Sequence, residues 1–194
     1  MNRMGSTCCR RSIRSCARCG CRRTTSSRRR SPRGALLRLR LPALDDVAYE
    51  ALARSLRDGV TAAGLRLVVD RDEAMARRIG AAGIHYAQAR LQTAPARTGT
   101  DDGLLRLASC HDADSIAQAG QLGFDGVVLG PVQQTASHPG ATTLGWDGLA
   151  ALAGPARLPV YAIGGLGPQD KRAAFEHYAQ GVAGISAYWS RSGS

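Results

Sequence analysis

Three glycine-rich stretches in the second half of the chain hold the residues best suited to chemistry. In "VLGPVQQTASHPGATTLGW" (128–146) an apolar run stops at Gly130-Pro131, and the residues that follow are hydroxyls, glycine, proline and His138. "IGGL" sets Gly164 and Gly165 behind a second apolar run, and "GIS" sets Gly184, Ile185 and Ser186 behind a third. Glycines at such ends let main-chain N–H groups approach an anion, and the hydroxyls of Thr135, Ser137 and Ser186 add further donors. Ordinary strand-to-helix turns use the same residues, so the two short glycine pieces alone leave both readings open. The hydroxyl-rich loop beside them tilts the balance toward a phosphate pocket. His138 and His111 are the acid–base candidates nearby, although each also suits a loop or a helix cap. His85, inside an apolar run, reads as structural.

The elements that must position these groups follow from apolar periodicity. Apolar runs recur at 35–41, 65–70, 83–87, 104–110, 124–130, 158–165 and 181–186. Alanine-rich helical stretches separate most of them, at 45–57, 72–79, 112–121, 145–153 and 168–177. Asp112 is placed to cap one helix, and Pro168 to open another. Strands alternating with helices predict βαβ units and a parallel sheet. A doubly wound sheet would carry a Gly-rich turn after its first strand, and none is present. Seven strands fall one short of a (β/α)8 barrel, in which phosphate commonly sits on the loops after the last two strands.

The overall charge of +11 suggests a nucleic-acid or membrane binder, but it is confined to one end. Residues 1–34 hold eleven arginines, no acid and five of the six cysteines. The remainder balances 15 basic against 15 acidic residues, so it needs no anionic macromolecule as partner. The head could be a basic arm with a small zinc site, a transit peptide rich in Arg and Ser, or a tail too poor in apolar residues to order. Its composition also fits text read upstream of a natural start. Residues 1–34 are therefore expected to be a disordered basic head and residues 35–190 one barrel domain. No stretch approaches the roughly 20 apolar residues of a membrane span, and a cytoplasmic location is expected.

The phrases "ASCHDADSIAQAGQLGFDGVVLGPVQQTASHPG", "LPVYAIGGL" and "AQGVAGISAYW" occur in the order and spacing of one known group. Together with "VVDRDEAMARRIGAAGIHYAQARL" upstream, they make the chain resemble the thiamine phosphate synthase and thiazole tautomerase (TenI) family over residues 36–189. The "SHPG…LGW" version is similar to the domain fused behind Nudix (MutT-type) hydrolases, although no Nudix box is present. The resemblance implies a (β/α)8 barrel, here lacking or poorly forming its first βα unit, because the Arg/Cys head stands in that place. It implies a protein of thiamine biosynthesis that joins an aminopyrimidine-methyl diphosphate to a thiazole phosphate, releasing pyrophosphate with Mg2+.

Carried over position by position, the resemblance gives a divided site. The thiazole-phosphate end is intact: Ser109, Thr135, Ser137, Gly165, Ile185 and Ser186. On the diphosphate side the family's Arg-x-Lys falls on Arg40 and Pro42, and its Asn-Asp falls on Val69 and Asp70, leaving Asp70 as the metal ligand. A second aspartate, past the family's "VHLGQ", falls on Arg90 behind "IHYAQ", where a guanidinium opposes a cation. The lysine of Thr-x-Thr-Lys falls on His138, which with Arg40 makes the catalytic pair. The tautomerase histidine position holds Pro131. The expectation is a synthase-like protein with a partly degraded diphosphate and metal site; the alternative is a non-catalytic phosphate-ligand domain derived from a Nudix fusion. The expected partners are small phosphorylated thiazole or pyrimidine ligands and a second copy of the chain, with unclosed sheet edges inviting self-pairing.

Overall fold

Seven short strands, each rich in Val, Ile and Leu, pair in sequence order and all in parallel in the computed structural model. The structure describes residues 34–98, 103–135 and 140–188. The strands are β1 (Leu36–Arg38), β2 (Arg66–Val69), β3 (Gly83–Tyr86), β4 (Leu105–Cys110), β5 (Gly126–Leu129), β6 (Val160–Ile163) and β7 (Gly181–Ala183). Each falls inside one of the seven apolar runs. Helices return the chain from strand to strand: α1 (Asp46–Ala62), α2 (Glu73–Ile79), α3 (Gln88–Leu91), α4 (Ala113–Gln121), α5 (Gly145–Ala153) and α6 (Lys171–Glu176). The sheet is a curled half-barrel, an incomplete (β/α) barrel whose edges β1 and β7 have no strand partner among the described residues.

Side-chain alternation divides the sheet into two faces. Leu67, Val69, Ile84, Ala108, Val127, Leu129, Val160 and Ala162 join the helices in one continuous core. Their neighbours in sequence face the inside of the curl: Arg38, Val68, His85, Leu107, Ser109, Val128, Tyr161 and Ile163, a split fixed by period-two geometry and by the register. The helix-facing residues of β5 and β6 are fully buried, whereas Val128, Tyr161 and Ile163 on the inner face are only half-buried. A closed barrel would cover that inner face on every side.

Helix starts are set by aspartates. Asp45, Asp72 and Asp112 accept the N–H of Ala48, Met75 and Ser115 at 2.8, 2.7 and 2.7 Å. These caps satisfy amide groups that have no carbonyl within the helix. Two helices differ from their predicted extents, and one was not expected. α1 runs to Ala62 rather than stopping at 57, because its buried face continues through Val60. The predicted 168–177 helix divides into a single 3-10 turn at Pro168–Asp170 and α6. The four-residue α3 was not predicted, since one turn is too short to show periodicity.

Candidate functional site

In a parallel sheet with right-handed crossovers, every carboxyl end opens on the same side. That mouth collects Ser109 at the end of β4, Arg90 on α3 and the segments after the strands that bear Arg40, Asp70, His111, Thr135, Gly165, Ile185 and Ser186. Ser137 and His138 lie outside the described residues.

The β5–β7 side is built from three interlocked loops. Val132 N–H donates to the Ile163 carbonyl at 2.8 Å and Gln133 N–H to the Gly164 carbonyl at 3.0 Å, so the loop after β5 lies along the loop after β6. Gly165 has φ +68, and a Cβ there would come within 2.5 Å of the Gln134 carbonyl oxygen. Only glycine fits that approach. A Cβ on Gly167 would meet that of Ala187 at 3.0 Å, which brings the loop after β7 against the same group. Thr135, Gly165, Ile185 and Ser186 therefore stand on adjoining loops. Among the described residues, the hydrogen bonds between these loops make no use of the N–H of Gly165, Leu166 or Ser186. Ser186 opens a 3-10 turn, Ser186–Tyr188, which ends the described residues. Ser109 faces inward from β4, half-buried. Beside it, His111 donates from Nδ1 to the Gly130 carbonyl, which requires the Nδ1–H form of the ring and ties the end of β4 to the start of the Pro131 loop.

The β1–β3 side is dominated by charged side chains. Tyr49 of α1 is fully buried and joins two strand ends: its hydroxyl donates to the Leu39 carbonyl at 2.8 Å and accepts the Asp70 N–H at 3.2 Å. Burial pushes its pKa up to about 12 against the opposing Asp70 N–H bond, so it remains a phenol. Asp70 Oδ1 lies 3.4 Å from Arg71 Nη1. Arg71 is held elsewhere too, donating to the carbonyls of Leu41 and Leu44 at 3.1 and 2.9 Å over the Tyr49 ring. Arg90 donates from Nη1 to the carbonyls of Asp70 and Arg71 at 3.1 and 3.0 Å, with its guanidinium 5.3 Å from the centre of the Tyr86 ring. Val69 is buried in the helix-facing core and offers no ligand atom.

His85 is the residue whose surroundings the sequence did not reveal. It is only 3% exposed, faces into the curl, and its Nδ1 has no hydrogen-bond partner. Burial first, then the charge of Arg38 and to a smaller degree Arg40, pushes its pKa down to about 3. It is a neutral imidazole forming part of the floor of the mouth. Desolvation lowers the Arg38 pKa, while the Asp70 carboxylate works in the opposite direction. Arg38, Arg40, Asp70 and His85 thus form one electrostatic group. Cys110 faces the helix core, and burial raises its pKa to about 11, which leaves it an inert thiol.

The fold and this mouth define a class: parallel α/β barrels, here incomplete, with ligand loops on the carboxyl ends of the strands. Residues 27–188 match the family described as Thiamine monophosphate synthase, and the chain belongs to that family. The matched region begins inside the basic head. The chain is similar to the thiamine-phosphate synthase of Limosilactobacillus fermentum, 36% identical over 137 residues that cover 70% of this chain and 63% of that protein. It is also similar to the thiamine-phosphate synthase of Chloroflexus aurantiacus, 32% identical over 136 residues, 70% of this chain and 62% of that one. It thus spans a little under two thirds of the length of these curated relatives. Among solved structures, a thiamine phosphate pyrophosphorylase from Pyrococcus furiosus superposes with a TM-score of 0.61 at 19% identity, covering 78% of this chain and 72% of that chain. At that identity the likeness shows the fold.

The Mg2+ implied by the family finds a poor donor set here. Among the described residues no three His, Cys, Asp or Glu side chains come together to hold a metal. Asp70 is a single carboxylate with Arg71 beside it and Arg90 on its own main chain. Mg2+ needs hard oxygen donors and is disfavoured by neighbouring cations, so the expected metal site at Asp70 does not fit the residues present.

Proposed function

We propose that this protein is a thiamine-phosphate synthase relative that keeps the thiazole-phosphate end of the family site and has an altered diphosphate end. The observation that carries this reading is the interlocking of the Thr135, Gly165 and Ser186 loops, with main-chain N–H groups left out of the bonds between them. One phosphate there would be held by amides and hydroxyls. Ser109 would line the inner wall of the same pocket. Arg40 would face the diphosphate of the aminopyrimidine substrate, and Ser137 and His138, outside the described residues, would add a hydroxyl and an imidazole. In the reaction the bond from the pyrimidine methylene carbon to the diphosphate oxygen breaks, the thiazole nitrogen bonds to that carbon, and pyrophosphate leaves with the electron pair. The protein's share is to align the two ligands and to stabilise charge as it develops on the leaving group.

A second reading, a phosphate-ligand binding domain without catalysis, is favoured by Arg90 and Pro42 standing where the family has an aspartate and a lysine. The likeness to the domain fused behind Nudix hydrolases belongs to this reading. The two separate in one experiment: pyrophosphate release from both substrates, run beside calorimetry with thiazole phosphate alone. We expect thiazole phosphate to bind and turnover to fall at least about a hundredfold below that of the Limosilactobacillus relative, since one lost preorganised donor can cost that much. Equal turnover would refute the altered diphosphate end, and failure to bind thiazole phosphate would refute the reading as a whole.

The division into a basic head (1–34) and a barrel domain (35–190) belongs to the same proposal. Removing residues 1–26, which precede the family match, should leave the melting temperature unchanged by differential scanning calorimetry; a lower one would assign the head a structural role. The cytoplasmic location and self-association through the edges of β1 and β7 are likewise proposed. No described helix is long and apolar enough to cross a membrane. Fractionation of cells and sedimentation of the purified chain test the two points.

A further inference from the structure

We propose that His111 is a positioning residue for the phosphate end of the mouth: its ring holds the loop after β5 from the β4 side and so sets how that loop lies against Gly165. The inference rests on the reading above only in taking thiazole phosphate as the ligand at that end.

The β4–β5 ladder closes with Cys110 beside Leu129. Beyond it the loop after β5 is fastened by main chain on one flank and by a side chain on the other. Among the described residues, the main-chain bonds of residues 131–133 run to the β6 side, from Val132 to Ile163 and from Gln133 to Gly164, or back to the segment before α5. In that segment Leu144 and Gly145 donate to the Pro131 and Val132 carbonyls at 2.9 Å each. Toward β4 the bond comes from Nδ1 of His111, which donates to the Gly130 carbonyl.

The partners in that bond differ in exposure. His111 is exposed, whereas Gly130 is buried. A buried carbonyl needs a partner, and here a residue with little burial of its own supplies one. Gly130 has no room to shift, since a Cβ there would overlap the Ile163 carbonyl oxygen. One on Gly164 would fall 2.6 Å from Pro131 Cα, and one on Gly165 would fall 2.5 Å from the Gln134 carbonyl oxygen. Backbone packed this closely passes a displacement on rather than absorbing it. The line of contacts from His111 thus runs through Gly130 and Gly164 to the main chain of Gly165, which the reading above sets against the phosphate. A loop held in place before the ligand arrives loses less freedom on binding.

The ring chemistry suits a tether. Nδ1–H is committed to Gly130, and protonation adds its proton at Nε2, so the bond persists in both charge states. Only Nε2 is left to exchange a proton.

The test uses the full chain. Heteronuclear NMR of the imidazole should show Nδ1 protonated and Nε2 bare in the neutral ring, the one neutral form that can donate to Gly130. His111→Ala should weaken thiazole-phosphate binding in calorimetry about threefold to tenfold, the range of one net hydrogen bond, and should speed amide exchange at Val132 and Gln133. His111→Asn sets an amide donor close to the place of Nδ1 and should bring affinity back to within about twofold of wild type. His111→Gln carries its donor one bond further out, near the place of Nε2, and should behave as alanine does. A role in stability alone would lower the melting temperature without producing this order. Should the alanine chain fail to fold, asparagine against glutamine decides. A neutral ring protonated at Nε2, amide exchange that His111→Ala leaves unchanged, or an affinity that fails to separate asparagine from glutamine would each overturn the inference. If the wild type does not bind thiazole phosphate, the reading above falls and the positioning role with it. Wild-type binding with unchanged affinity in His111→Ala removes the positioning role alone.

Discussion

At the β5–β7 end of the mouth, the groups that can face a ligand belong mostly to the main chain; at the β1–β3 end they are long side chains. The first end depends on where the backbone runs, and the backbone there is fixed by loops that touch at glycines. Exchanging one side chain for another changes little unless it forces the loops apart or releases one of them. The second end depends on which residue stands at each position. Pro42, Val69 and Arg90 alter its chemistry without disturbing the strands that carry them. The two ends of one mouth can therefore respond differently to substitution, because one is written in conformation and the other in charge.

Breaking the conformational end should have the largest effect. Gly165→Val places a branched side chain at φ +68 against the Gln134 carbonyl. Left-handed strain and overpacking together should cost about 3–5 kcal/mol in chemical denaturation. Thiazole-phosphate binding should be lost in calorimetry. Gly140, at φ +81 with open space around it, is the control: Gly140→Ala should cost only about 1–2 kcal/mol, because strain acts there without a clash. Equal effects at the two glycines would mean that the interlocking of the loops does not matter.

The charged end should reveal itself through pH. The folded pKa of His85, about 3, lies below its ordinary value of 6.5, so the unfolded chain binds the proton more readily. The stability this withholds is fully present above pH 6.5 and declines as pH falls toward 3, by about 1.4 kcal/mol per pH unit. Two units below 6.5 the loss should be about 2–3 kcal/mol. Denaturation curves across that window should show the slope in the wild type and a much shallower one in His85→Gln, which cannot take up the proton. A wild type as flat as the variant would place His85 outside the buried floor.

How legible this was in the sequence also differs between the two ends. All seven strands were readable because runs such as "LRLVVD" and "FDGVVLG" are nearly continuous in apolar residues, as strands of a parallel sheet covered by helices are. Gly165 and Ser186 were readable because glycine and hydroxyl after a strand have few other uses. The departure at Arg90 was visible as a residue type, but its bonds to the Asp70 and Arg71 carbonyls depend on how a four-residue helix packs over the next loop. His85 read as a strand histidine, and nothing in "GIHYA" says that the charges of Arg38 and Arg40, two strands away, act on it. Tyr49 lies ten residues from Leu39 and 21 from Asp70, so its role as a tie between two strand ends appears only once α1 is folded back.

That tie gives the next smaller test. Tyr49→Phe keeps the ring under Arg71 but removes the hydroxyl that serves both Leu39 and Asp70. A buried donor and acceptor left without a partner should cost about 1–2 kcal/mol. Thiazole-phosphate affinity should stay unchanged, because the tie lies at the other end of the mouth. A drop in that affinity would show that the two ends are coupled.

The smallest expected effect lies between the two ends, where Asp112 caps α4 just after Ser109 and His111. Its Oδ1 accepts the Ser115 N–H at 2.7 Å, and its Oδ2 accepts from Gln88 Nε2 at 3.0 Å. The backbone N–H of Ser115, its hydroxyl and then Gln88 hold the Asp112 pKa below the usual carboxylate range. For a carboxylate with a depressed folded pKa, the added stability is present above the ordinary value and disappears as pH falls through the depressed one. Asp112→Ala should therefore cost about 1 kcal/mol at neutral pH, the usual worth of an N-cap, and less at a pH where the wild-type carboxyl is protonated and keeps only a neutral acceptor. Asp112→Asn keeps an acceptor for Ser115 and should lose less, with no dependence on pH in the acid range. Because the cap fixes where α4 begins but touches neither end of the mouth, thiazole-phosphate affinity should stay within about twofold in either variant. A larger loss would show that the hold of His111 on the Gly130 carbonyl depends on the cap that follows it.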